Sequence, residues 1–155
     1  MLIKEVQLSD LYPIIDRMIR EDGKVTISVS GYSMQPMLYN KRDTVTITKP
    51  EFPLKKYDIP FFRLDDGRFV LHRIIKVHSD GTYKCRGDNR WEAEDHIRNN
   101  QIIGVVESFN RNGKTTHVDN SFGYWIYTRS WKFLHPFKKY YKYFYKMKNF
   151  FTKKK

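Results

Sequence analysis

Apolar positions change their period near residue 24. Leu8, Leu11, Ile14, Ile15, Met18 and Ile19 recur at helical spacing, which predicts an amphipathic helix over about residues 9–21 with Ser9 as its cap. Pro13 fits only the first turn of such a helix, in agreement with a cap near Ser9. From Lys24 onward the period falls to two. Val25/Ile27/Val29, Thr44–Thr48, Ile59–Leu64, Arg68–Val77, Thr82–Arg86 and Ile102–Phe109 are predicted strands, rich in β-branched and aromatic residues. Asp65-Asp66-Gly67, Ser79-Asp80-Gly81 and Asn110-Arg111-Asn112-Gly113 are turn signals between them, short enough to imply antiparallel hairpins. The expected fold is mainly β: a small, mostly antiparallel β domain with an N-terminal helix and a C-terminal amphipathic helix.

Charge divides the chain further. The formal net charge is +12 over 155 residues, and residues 121–155 hold ten Lys/Arg with no acid. The remaining 19 cations nearly balance the 17 acids in residues 1–120. Three segments follow: a helical stretch 1–24, a near-neutral β domain 25–120, and a basic tail 121–155. The tail also carries fourteen aromatics. On a helical wheel from Pro136, Phe137, Tyr140, Phe144, Met147 and Phe151 share one face, and Lys138, Lys142, Lys146 and Lys153 lie opposite. That pattern over residues 131–155 fits an anionic membrane surface, with the helix lying in the interface. Packing of the apolar face on the β domain, or docking of a partner there, is the second reading; nucleic-acid binding by phosphate contact and stacking is the weakest.

No apolar run approaches the roughly 18 residues of a conventional transmembrane helix, and Met1–Glu5 does not read as the start of a secretory signal. The expected location is cytoplasmic, or peripheral on the cytoplasmic membrane. Cys85 reads as an ordinary strand residue. No Cys/His spacing suits zinc, and no nucleotide or other cofactor motif occurs, so no cofactor is expected. His78, His96, His117 and His135 lie in turns, polar stretches or the tail and carry no role by pattern.

Chemistry concentrates in three clusters. Gly31-Tyr32-Ser33-Met34-Gln35-Pro36 breaks a strand and presents a serine at a bend. His72 lies within the apolar run Phe69-Val70-Leu71-His72-Arg73-Ile74-Ile75, where a histidine needs a polar partner. Arg86-Gly87-Asp88-Asn89-Arg90 is a turn signature, followed by Glu94, Asp95 and then Gln101-Ile102-Ile103-Gly104-Val105-Val106. In this order the clusters resemble the S24/S26 serine peptidase superfamily, which holds the type I signal peptidases and the LexA-like self-cleaving repressors. The resemblance runs from about Val25 to Phe109.

Most bacterial members use a Lys-Arg pair; His72-Arg73 at that position is similar to the endoplasmic-reticulum and archaeal signal peptidases. A lysine base must be stripped of its proton by burial, whereas imidazole as a side-chain type titrates near neutrality. The resemblance implies a serine endopeptidase with Ser33 as nucleophile, His72 as general base, and Asp88 and Asp95 as the acids of the box. Asp88, Glu94 and Asp95 all remain candidates to orient the imidazole. Met34 and Pro36 would shape the turn and the substrate pocket. The Ser33 N–H would hold the oxyanion, and Gly31 stands where some members place an extra serine donor.

The expected substrate is a peptide or protein precursor. Neither the membrane anchor usual in signal peptidases nor the DNA-binding helix-turn-helix of the repressors is expected from these residues, and no Ala-Gly dipeptide occurs among them. Self-cleavage is therefore disfavoured. A non-catalytic relative that binds extended peptides by strand addition is the alternative.

Overall fold

The computed structural model describes residues 8–118 and 122–134. Of these, residues 8–118 belong to one compact unit and residues 122–134 to another. The first is mainly β, with two antiparallel sheets behind an N-terminal helix.

Helix α1 (Leu8–Glu21) buries Ile15 and Ile19 and leaves Ile14 and Met18 exposed. It already runs at Leu8, so Pro13 lies in the second turn rather than the first, where it cannot supply the N–H that the Ser9 carbonyl would accept. The helix ends where Asp22 N–H donates to the Met18 carbonyl (2.8 Å) and Gly23 takes φ 75°. A left-handed residue after the last turn is the usual helix stop, and glycine takes it without steric cost.

The larger sheet comprises β1 (Lys24–Ser28), β2 (Thr44–Thr48), β3 (Pro60–Arg63), β4 (Phe69–Leu71), β8 (Ile102–Arg111) and β9 (Lys114–His117). Their order is β1-β2-β8-β3-β4, with β9 also paired to β8. The smaller sheet is β5 (Arg73–Val77), β6 (Tyr83–Arg86) and β7 (Glu94–Ile97), in that order. Alternation behaves as expected in β2, where Val45 and Ile47 are buried between half-buried threonines. The run Arg68–Val77, expected as one strand, is two. Leu71 pairs with Phe61 in the larger sheet, Arg73 pairs with Arg86 in the smaller, and His72 is the residue between.

Leu54, Phe62, Ile74, Tyr83, Cys85, Ile97 and Ile102 form a buried cluster drawn from both sheets. Cys85 is fully buried, and burial first, then the charges of Glu94 and Asp95, push its thiol up to about 12. It is a packed strand residue, inert as a nucleophile. A Cβ on Gly104 would strike Ile47 Cγ2 and lie 2.8 Å from the Thr48 carbonyl and 3.2 Å from Ile19 Cδ1. Glycine there lets α1 and β2 close onto β8.

In the second unit, α2 (Phe122–Leu134) stacks Phe122 on Trp125 and lays the Arg129 guanidinium 4.0 Å over the Trp125 ring. The amphipathic face expected from Pro136 onward lies outside the described residues. No described helix is long and apolar enough to cross a membrane.

Candidate active site

The turn bearing Ser33 is held from below. After β1 the chain bends through Gly31 (φ 94°), whose N–H donates to Asn40 Oδ1 (3.0 Å). Met34, Met37 and Leu38 are buried and anchor the turn, leaving Ser33 half-buried. Asp43, fully buried, accepts from Tyr39 N–H (2.9 Å) and from Arg42 (2.6 Å). Burial alone would raise the Asp43 carboxyl. The bonds from Arg42 and Tyr39 N–H, with the charges of Arg42 and Arg111, outweigh burial and hold it below the usual range. Arg111, reaching in from β8, donates to the Pro36 and Met37 carbonyls.

His72 is 4% exposed at the joint between the sheets. Its Nδ1 is 2.7 Å from Glu94 Oε2. Burial would raise the Glu94 carboxyl, but the hydrogen bond and charge of His72, with Arg90 beyond, keep it below its ordinary value. A carboxylate on Nδ1 orients an imidazole and favours the tautomer with its lone pair on Nε2.

The Gly-Asp-Asn turn serves both clusters. A Cβ on Gly87 would lie 2.6 Å from the Ser33 carbonyl oxygen and 2.8 Å from His72 Nε2. The serine turn and the imidazole therefore crowd one point that only glycine leaves open. Asp88 takes the buried Arg73 guanidinium in two bonds, from Nε (2.9 Å) and Nη2 (2.8 Å). Arg73 also donates to the Tyr57 carbonyl (3.3 Å) and contacts Met37 Sδ. Asn89 donates its N–H to the Ser33 carbonyl (2.7 Å) and its Nδ2 to the Tyr32 carbonyl (3.1 Å).

Ser33 and His72 line one open cleft of about 240 Å³, with Val29, Met34, Phe61 and Leu71 among its apolar walls. Arg68, Arg90 and Glu94 also border it. Strands β1 and β4, the two ends of the larger sheet's order, both contribute to the cleft. Among the described residues the Ser33 N–H and hydroxyl have no hydrogen-bond partner.

The expected site residues thus part company. Ser33, His72 and Met34 share the cleft, whereas Pro36 does not line it and instead offers its carbonyl to Arg111. Asp88 is committed to Arg73. Asp95, favoured beforehand with Asp88, instead holds Lys84 (2.6 Å) and His78 (2.7 Å). Those two partners, Lys84 first, keep its carboxyl well below the usual range. The physical reason is strand geometry. Consecutive residues of β7 face opposite ways, so Glu94 can reach His72 and Asp95 cannot.

Asp43 and Arg111, which support the turn, have no signal in sequence beyond a charged turn and a strand end. Comparison with known proteins finds no matching family model and no matching curated protein.

Proposed function

We propose that the chain is a serine endopeptidase of the signal-peptidase-like type, acting on a peptide or protein precursor. The observation that carries this is the shared cleft: a serine whose hydroxyl has no hydrogen-bond partner among the described residues, and a buried imidazole backed by a carboxylate at 2.7 Å. In this reading His72 Nε2 takes the Ser33 proton as Oγ attacks the scissile carbonyl, while Glu94 stabilises the imidazolium. The proton then passes to the leaving amine. Water repeats the sequence on the acyl-serine, with His72 again as base. The Ser33 N–H supplies one oxyanion donor.

An extended substrate would lie along the edges of β1 and β4, using their unpaired backbone groups. Small side chains suit a cleft of this size between Val29, Met34, Phe61 and Leu71. The basic aromatic tail would keep the enzyme on an anionic membrane surface.

The test uses the full chain, Ser33→Ala and His72→Ala with an N-terminally blocked peptide library, reading new termini by mass spectrometry. Wild type should create termini that neither variant makes. Identical product sets from all three proteins, or none from any, would leave the peptide-binding alternative standing.

A further inference from the structure

A second set of donor side chains sits on the smaller sheet, outside the proposed peptidase chemistry. His78 follows β5, and Asp95 and His96 belong to β7. His78 Nε2 is 2.7 Å from Asp95 Oδ1, and the His78 and His96 rings stack with centroids 4.6 Å apart. One donor atom from each of the three lies within 4.8 Å of the others.

Regular strand alternation would send Asp95 and His96 to opposite faces. His96 instead has φ 53°, in the left-handed region that few non-glycine residues adopt. That break in the alternation turns its ring onto His78. Asp80 stands beside the group, with Oδ2 3.5 Å from His96 Nδ1. Lys84 holds Asp95 Oδ2 at 2.6 Å and orients the carboxylate, so Oδ1, which faces His78 and accepts the His96 N–H at 3.1 Å, is the oxygen turned toward the two imidazoles.

We propose that His78, Asp95 and His96, with Asp80 as a fourth oxygen donor, form a binding site for a divalent transition-metal ion of the Zn²⁺ class. Two imidazoles and carboxylate oxygens are a borderline donor set that suits zinc, whereas Mg²⁺ and Ca²⁺ favour oxygen alone. Metal–donor distances near 2.0–2.2 Å place tetrahedral donors about 3.3 Å apart. The His78–Asp95 bond must therefore open slightly, and the His96 ring must swing out of its stack, because an ion lies in the plane of each imidazole it binds. His96 is exposed, and its turn would exchange the 3.1 Å contact of Nδ1 with Thr82 Oγ1 for the ion. Asp95 directly follows Glu94, so the ion would tie down the strand that carries the His72 partner.

The test is calorimetric titration of ZnCl₂ into the chelator-stripped, tag-free full chain, alongside His78→Ala, His96→Ala and His117→Ala. One equivalent should bind to wild type and to His117→Ala, unaffected by excess Mg²⁺. Affinity should fall at least about 10-fold in His78→Ala and His96→Ala, on the scale set by losing even an outer-shell partner. Zinc should also raise the thermal midpoint of wild type and not that of His96→Ala, an exposed change that spares the fold. No binding by wild type, or equal binding by all four proteins, would overturn the site and leave His78–Asp95–Lys84 as an ion-pair network. None of these readings depends on peptidase activity.

Discussion

Gly87→Ala is the sharpest probe of the cleft, because one methyl group would enter the point where serine turn and imidazole meet. Its Cβ would sit 2.6 Å from the Ser33 carbonyl oxygen, 2.8 Å from His72 Nε2 and 3.0 Å from Arg90 Cγ. The Arg90 stem can move aside. The Ser33 carbonyl cannot move freely, since Asn89 N–H holds it at 2.7 Å, and His72 is held by Glu94. Restoring van der Waals separation near 3.5 Å would displace these groups by about 0.7–0.9 Å. Overpacking of this kind costs about 1–3 kcal/mol of stability. Misplacement near 1 Å costs about 100-fold in rate, equivalent to about 2.7 kcal/mol in the barrier.

Urea unfolding gives the first quantity, and initial rates on a peptide recovered from the library screen give the second. Gly81→Ala is the control. Gly81 has φ 79° with nothing within 4 Å of its virtual Cβ, so that variant loses about 1 kcal/mol to backbone strain and keeps its rate. A Gly87→Ala protein with wild-type stability and wild-type rate would refute the close approach at Gly87.

Two further outcomes follow from the buried charges. Asp88→Ala removes the carboxylate that the buried Arg73 guanidinium holds in two bonds and should cost about 3–5 kcal/mol in urea unfolding, while Arg73→Met/Asp88→Leu should recover much of it; a single-variant loss below about 1 kcal/mol would contradict the buried pair. The folded-state carboxyl of Asp43 is lowered, so its stabilisation is present above its unfolded value near 3.9 and fades as pH falls through the lower folded value. Asp43→Asn should therefore be less stable than wild type at pH 7 and converge on it toward pH 2; a stability gap that does not change with pH would refute that origin.

Much of the fold is legible in the sequence because burial is one-sided where alternation is clean, as in Val25-Thr26-Ile27 and Val45-Thr46-Ile47. The division at His72 is not. Phe69 to Ile75 is apolar apart from the His72-Arg73 pair, and only the partners of each half, β3 and β6, reveal two strands in two sheets. Strands β7 and β9 are missed because Glu94-Asp95-His96-Ile97 and Lys114-Thr115-Thr116-His117 show no apolar alternation: β7 buries Ile97 alone and β9 buries none of its four. Ser33, His72 and the Gly-Asp-Asn turn stand out as motifs. The choice among Asp88, Glu94 and Asp95 does not, since it depends on strand parity in a segment without hydrophobic alternation. His78 and His96 read as separate loop histidines until β7 folds back beside β6.

His72 stands where the chain leaves one sheet for the other, with Ser33 suspended from the first and Glu94 carried by the second. Alignment of the three is thus a reporter of how the two layers seat. Trimming Phe62 or Ile74, which touch no substrate in this scheme, would let the layers settle differently and detune the hydroxyl–imidazole geometry. Such variants would be scored in an activity screen as catalytic lesions, and revertants would be found among the side chains that refill the interior rather than around the serine.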